Sequence, residues 1–170
     1  MAPIIFVLGG ARSGKSRFAE ERARGFAATE RIYIATAECR DEEMESRIAL
    51  HRARRGDDWR TIEAPHRLAE ALSTEARDDR AILVDCLTLW LTNCLLADAD
   101  LDAEGDRLAA ALVAADGPIV LVSNEVGLSI VPENALARRF RDEAGRLNQK
   151  IAALADEAWF VAAGLPLRLK

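Results

Sequence analysis

Eight residues near the start of the chain, Gly9-Gly10-Ala11-Arg12-Ser13-Gly14-Lys15-Ser16, follow the pattern G-x-x-x-x-G-K-[ST]. These residue types suit phosphate chemistry. Gly9, Gly10 and Gly14 let a backbone wrap around phosphate oxygens with its N–H groups turned inward, and Ala11, Arg12 and Ser13 complete that cradle. Lys15 adds a mobile positive charge for β- and γ-phosphates, and the Ser16 hydroxyl is a ligand for Mg²⁺. The loop follows the apolar run PIIFVLGG and opens an amphipathic stretch. A helix starting there adds its positive dipole end to the site.

Such a site needs a carboxylate near its metal. The run AILVDCL ends on Asp85, where an acid closing a buried strand supports Mg²⁺. The other reading is an N-cap for the helix LTLWLTN, a common use of Asp. The run IVLVSNEVG ends on Ser123, Asn124 and Glu125. Ligands of open α/β sheets sit beyond the carboxyl ends of strands, so Asn124 and Glu125 are placed to orient or deprotonate a hydroxyl. Glu125 also fits as a solvated loop acid. His51 lies among Arg47, Arg52, Arg54 and Arg55. Helical spacing sets it where an apolar stripe (Met44, Ile48) meets a basic one (Arg47, Arg55). Helix electrostatics explain much of that charge order, which leaves His51 either a structural residue or a nucleophile beside a triphosphate.

The elements that must position these residues alternate along the chain. PIIFVLGG, RIYIATA, AILVDCL, PIVLVSNE and EAWFVAAG read as buried strands. Helical spacing runs from Lys15 to Ala28, Asp41 to Arg55, His66 to Ala76, Leu87 to Ala97, Asp102 to Ala115 and Glu133 to Ala155. DWRTIEAP reads as a short edge strand. FVAAGLPLRLK reads as two strands joined at Gly164-Leu165-Pro166, the last one antiparallel at a sheet edge. The acidic stretch ADADLDAEGD, Ala97 to Asp106, is the best candidate loop. The expected fold is α/β: a single P-loop NTPase domain over residues 1–170, with a mostly parallel sheet, helices on both faces and an antiparallel C-terminal edge strand.

Composition agrees with one ordinary domain. The chain has 170 residues, half of them apolar and 30% charged, with a net charge of −5. That balance argues against nucleic acid as a bulk electrostatic partner. Cys39, Cys86 and Cys94 form neither a close pair nor a metal-ligand spacing and read as small hydrophobes in a reducing compartment. PIIFVLGG is too short for a signal peptide or a membrane span, so a cytoplasmic protein is expected.

The order of motifs resembles the bifunctional adenosylcobinamide kinase/adenosylcobinamide-phosphate guanylyltransferase family of cobalamin synthesis. The pieces that carry the resemblance are GGARSGKSRFAE, YIATAE, DEEMESRIALHRARRGDDWRTIE, DCLTLWLTNCL, VSNEVGLSIVPENALARRFRDEAGRLNQKIAALADE and GLPLRLK, in order through nearly the whole chain. The resemblance implies phosphorylation of adenosylcobinamide by ATP or GTP. Transfer of GMP from GTP follows, through a GMP–histidine intermediate, releasing pyrophosphate. The matching histidine is His51. Guanine-nucleotide contacts are implied at Ile34, Ala35, Thr36, Arg52, Ala53, Arg54, Arg55, Glu63 and Asp85. A homotrimer is implied as well. The apolar helix LTLWLTNCLL suits an interface or a core equally. His66 lies off these motifs and reads as a helix-start residue. A P-loop kinase of another small alcohol and a nucleotide-dependent regulatory switch are the competing readings.

Overall fold

The computed structural model describes residues 2–38 and 56–170. Its strands are β1 (Ile4–Gly9), β2 (Glu30–Ala35), β3 (Arg60–Glu63), β4 (Arg80–Asp85), β5 (Ile119–Asn124), β6 (Glu157–Ala162) and β7 (Leu165–Arg168). The helices among the described residues are α1 (Lys15–Arg24), α2 (Leu68–Glu75), α3 (Leu87–Leu96), α4 (Leu101–Val113) and α5 (Ala135–Leu154). The strands form one sheet in the order β3-β2-β4-β5-β1-β6-β7. All neighbours run parallel except β6 and β7, which pair antiparallel. This is the expected P-loop NTPase architecture, with β3 at one edge and β7 at the other.

Strict alternation along the strands builds two cores. Ile4, Phe6, Ile32, Ile34, Ile82, Val84, Ile119 and Leu121 face α2, α3, α4 and α5. Ile5, Val7, Tyr33, Leu83, Val120 and Val122 turn the other way, toward Ala19 and Ala23 of α1 and toward Trp59. A side chain at i and one at i+2 share a face of a strand, so continuous apolar runs are what a sheet covered on both faces requires. Each fully buried aliphatic side chain contributes roughly 1.5–3 kcal/mol.

The helix α3 belongs to this core. Leu87, Trp90, Leu91, Cys94 and Leu95 are buried within the single chain. Its apolar character is therefore met by α4, α5 and the sheet. Four details depart from expectation. The acidic stretch is a loop only as far as Asp100, whose carboxylate accepts the Ala103 N–H at 3.1 Å. Asp102 and Glu104 then occupy the first turn of α4, where the dipole favours negative charge. His66 precedes α2, which begins at Leu68 after Arg67. The first helix ends at Arg24 against Gly25 rather than at Ala28. The hairpin turns at Ala163-Gly164, both left-handed (φ 52° and 77°), so Leu165 and Pro166 already belong to β7. Two central residues with positive φ match the twist of a tight hairpin.

Among the described residues no helix is long and apolar enough to cross a membrane.

Candidate functional site

The carboxyl end of the sheet gathers most of the residues singled out above. The loop from Gly9 to Ser16 leaves β1 there. Gly14 stands at the N-cap of α1 with φ 93°, a left-handed conformation that favours glycine. The Lys15 ammonium donates to the Gly10 carbonyl at 3.0 Å, so the charge lies across the loop, and the residue as a whole is only 8% exposed. A Cβ built on Gly10 would meet nothing within 4 Å, whereas one on Gly9 would stand 2.5 Å from the Val161 carbonyl. Room for a ligand therefore opens on the Gly10 side. The missing side chain of Gly9 answers to β6.

Asp85 ends β4, two strands away, and accepts the Tyr33 hydroxyl at 3.1 Å. It does not cap α3: Cys86 occupies the N-cap position, without a side-chain cap hydrogen bond. Burial pushes the Cys86 thiol up to about 11. Asp85 adds to that shift and Lys15 opposes it, so both charges act at the same buried sulfur. The thiol is consequently neutral at physiological pH.

A hydrogen-bonded floor lies beneath these groups. Thr36 Oγ1 donates to the Cys86 carbonyl at 2.7 Å and accepts the Cys86 N–H at 2.8 Å. The Thr36 carbonyl accepts from Asn93 Nδ2 at 2.8 Å, and the same amide reaches the Pro65 carbonyl at 2.9 Å. Asn124 Nδ2 donates to Thr88 Oγ1 at 2.7 Å. Ends of β2, β4 and β5 are thus tied to α3 by buried polar groups, which have to be satisfied once they leave water. Register puts Asn124 beside Gly9, and the Glu125 N–H donates to the Gly9 carbonyl at 3.0 Å. Glu125 Oε1 accepts the Gly127 N–H, which orders the turn after β5. Ser123 is buried and donates to Asn148 Oδ1 at 2.8 Å, anchoring α5 to the sheet.

The remaining expectations divide. Ala35 and Glu63 pair in register at the carboxyl ends of β2 and β3. Ile34 is fully buried in the core, so its side chain faces α2 and α3 rather than the loop. Thr36 is fully buried and held at both its hydroxyl and its carbonyl. His51, Arg52, Ala53, Arg54 and Arg55 lie outside the described residues, as does Cys39. Tyr33, Thr88 and Asn93 went unnoticed in the sequence. Only the adjacency of β2, β4 and β5 gives them partners near the loop.

A family model described as cobinamide kinase / cobinamide phosphate guanyltransferase matches residues 5–169. The chain belongs to this family. With membership goes the pair of activities in that description, kinase and guanylyltransferase. Relatives of this kinase/guanyltransferase include the bifunctional adenosylcobalamin biosynthesis protein CobP of Pseudomonas aeruginosa, 54% identical over 96% of this chain and 95% of that one. The bifunctional adenosylcobalamin biosynthesis protein CobU of Salmonella typhimurium is 42% identical over 98% and 99%. Among solved structures, an ATPase of a type III secretion system is 14% identical with a TM-score of 0.53, covering 98% of this chain and 56% of that one. The RadB recombinase is 16% identical with a TM-score of 0.55, covering 94% and 74%. At such identities these two speak for the fold alone.

The residues of this candidate site fit Mg²⁺. Ser16 and Asp85 offer hard oxygen ligands at the carboxyl end of the sheet, and Mg²⁺ is usually held by one or two protein groups plus phosphates and waters. No group of three or more His, Cys, Asp or Glu side chains among the described residues forms a ready-made metal cage.

Proposed function

We propose that one domain, residues 1–170, carries out two successive phosphate transfers in cobalamin biosynthesis. The first phosphorylates the aminopropanol hydroxyl of adenosylcobinamide with ATP or GTP. The second moves GMP from GTP onto that phosphate, giving adenosylcobinamide-GDP and pyrophosphate. The observation that supports this most strongly is the family match across residues 5–169, joined to a loop whose open side and buried lysine suit a triphosphate.

In the kinase step the backbone amides of Gly9 to Ser16 and the Lys15 ammonium stabilise charge on the γ-phosphate while the substrate hydroxyl attacks. Asn124 and Glu125, beside Gly9 at the end of β5, orient that hydroxyl. Ser16 and Asp85 hold Mg²⁺, which when bound neutralises phosphate charge. In the transfer step an imidazole nitrogen of His51 attacks the α-phosphorus of GTP. A phosphorus–nitrogen bond forms, the α–β phosphoanhydride breaks, and pyrophosphate leaves. The phosphate of adenosylcobinamide phosphate then attacks the same phosphorus and releases the imidazole. Ile34, Ala35 and Thr36 at the end of β2, with Glu63, Asp85 and the run Arg52 to Arg55, contact the guanine nucleotide. The enzyme works as a cytoplasmic homotrimer without nucleic acid or a membrane span.

The test combines product analysis with labelling. Incubation with adenosylcobinamide, Mg²⁺ and GTP should yield adenosylcobinamide phosphate and then the GDP derivative by mass spectrometry. GTP labelled at the α-phosphate should leave an acid-labile, alkali-stable adduct, which label at the γ-phosphate should not. His51→Ala should abolish the adduct and guanylyl transfer while part of the kinase activity survives. A His51→Ala enzyme that still forms the adduct refutes the assigned nucleophile; His66→Ala is the control and should label normally.

A further inference from the structure

The C-terminal hairpin packs directly on the phosphate loop. The Gly164 N–H, in the tight turn between β6 and β7, donates to the Ser13 carbonyl at 2.8 Å. A Cβ on Gly14 would lie 3.1 Å from Gly164 Cα, and one on Gly9 would collide with the Val161 carbonyl. Two of the three loop glycines therefore face the hairpin, and Gly10 alone faces open space. The hairpin is also locked onto α1, the helix that the loop opens. Trp159 of β6 packs at a tilt against Phe18, with centroids 5.3 Å apart. Arg22 of α1 and Arg168 of β7 each lie 5.7 Å from the centroid of the same indole, and Arg22 pairs with Glu157 at 2.7 Å.

These contacts bear on the loop through one peptide plane. The Ser13–Gly14 peptide is trans, since among the described residues the only cis bond is Asp85–Cys86. In a trans peptide the C=O and the N–H point in opposite directions. Holding the Ser13 carbonyl against the hairpin turns the Gly14 N–H away from it. We propose that the hairpin is a positioning element of the phosphate site, with the Gly164 amide setting the peptide that presents the Gly14 N–H to a nucleotide phosphate. Gly164 supports this geometry because its φ of 77° suits glycine and admits few other residues. The hairpin acts through the loop and touches no reacting atom.

The proposal rests on the reading of Gly9 to Ser16 as a nucleotide site. The direct test replaces the Gly164 amide by an ester, using glycolic acid at that position, which removes the N–H and keeps the backbone path. Affinity for GTP with Mg²⁺ is measured by calorimetry well below the unfolding temperature, alongside that temperature itself. Loss of one orienting hydrogen bond should weaken GTP about fivefold. A hairpin that merely braced the fold would lower the unfolding temperature and leave the affinity unchanged, and that result overturns the proposal. A second pair keeps the test decisive if the ester protein does not fold. Gly164→Asn tolerates the left-handed turn and should bind GTP like the parent; Gly164→Val should bind more weakly. Equal affinity in the two variants also overturns it. Failure of the parent protein to bind GTP would instead refute the nucleotide site itself.

Discussion

In the proposed mechanism Lys15 is the residue on which the kinase step turns. Its ammonium already lies across the loop against the Gly10 carbonyl, in a setting only 8% exposed. A preorganised charge in a site shielded from water stabilises a developing phosphate charge at no reorganisation cost. Lys15→Ala should lower kinase turnover by about 10²–10³. A steady-state assay with saturating adenosylcobinamide checks this, and unchanged turnover removes the lysine from the mechanism. The contribution proposed for Asp85 is separable. Tyr33 holds one carboxylate oxygen at 3.1 Å, so Asp85→Asn keeps the shape and the hydrogen bond but deletes the charge. The Mg²⁺ concentration for half-maximal activity should rise. Identical titrations of the variant and its parent, with native circular dichroism, would leave Asp85 a structural residue.

Among the elements, α3 decides whether the site has a floor. Asn93 joins the ends of β2 and β3 through the Thr36 and Pro65 carbonyls, and it is only 4% exposed. Asn93→Leu leaves the buried Thr36 carbonyl and the part-buried Pro65 carbonyl without that donor. The cost is about 2–3 kcal/mol. Urea unfolding should show a lower midpoint with an unchanged slope. At the opposite end of the sheet, Arg60 bonds Glu30 and Glu75, and Arg80 pairs with both acids. Those arginine hydrogen bonds hold the Glu30 and Glu75 carboxyls below the usual range. The network is partly exposed and each pair contributes little by itself. Its place, where β2, β3 and β4 begin, secures strand order far from the chemistry.

At the scale of the molecule, a lone chain keeps much apolar surface in water. Leu128 and Ile130, in the loop after β5, are 83% and 92% exposed, and Leu165 on β7 is 73% exposed. Exposed apolar residues are covered by a partner where they fall within an interface. The proposed trimer should therefore sediment at micromolar concentration as a species of three 18.6 kDa chains. A monomer under those conditions would refute it.

The loop from Gly9 to Ser16 was legible in the residues themselves, because its glycines, through backbone geometry, and its lysine and serine, through their side chains, fall within eight consecutive positions. Strands were legible as short continuous apolar runs and helices from a period of about 3.6 residues, and both signals are local. Asp85 and Asn124 stood out because each ends an apolar run. What the sequence left open was order in space. Tyr33 reaches Asp85 across 52 positions and Thr36 reaches Cys86 across 50. Gly164 meets Ser13 from the far end of the chain. Such contacts follow from which strands lie side by side, and that order is set by packing of both faces of the sheet at once. The same packing gave Ile34 to the core, made α3 a buried helix, and turned two loop glycines toward a hairpin no local pattern connects to them.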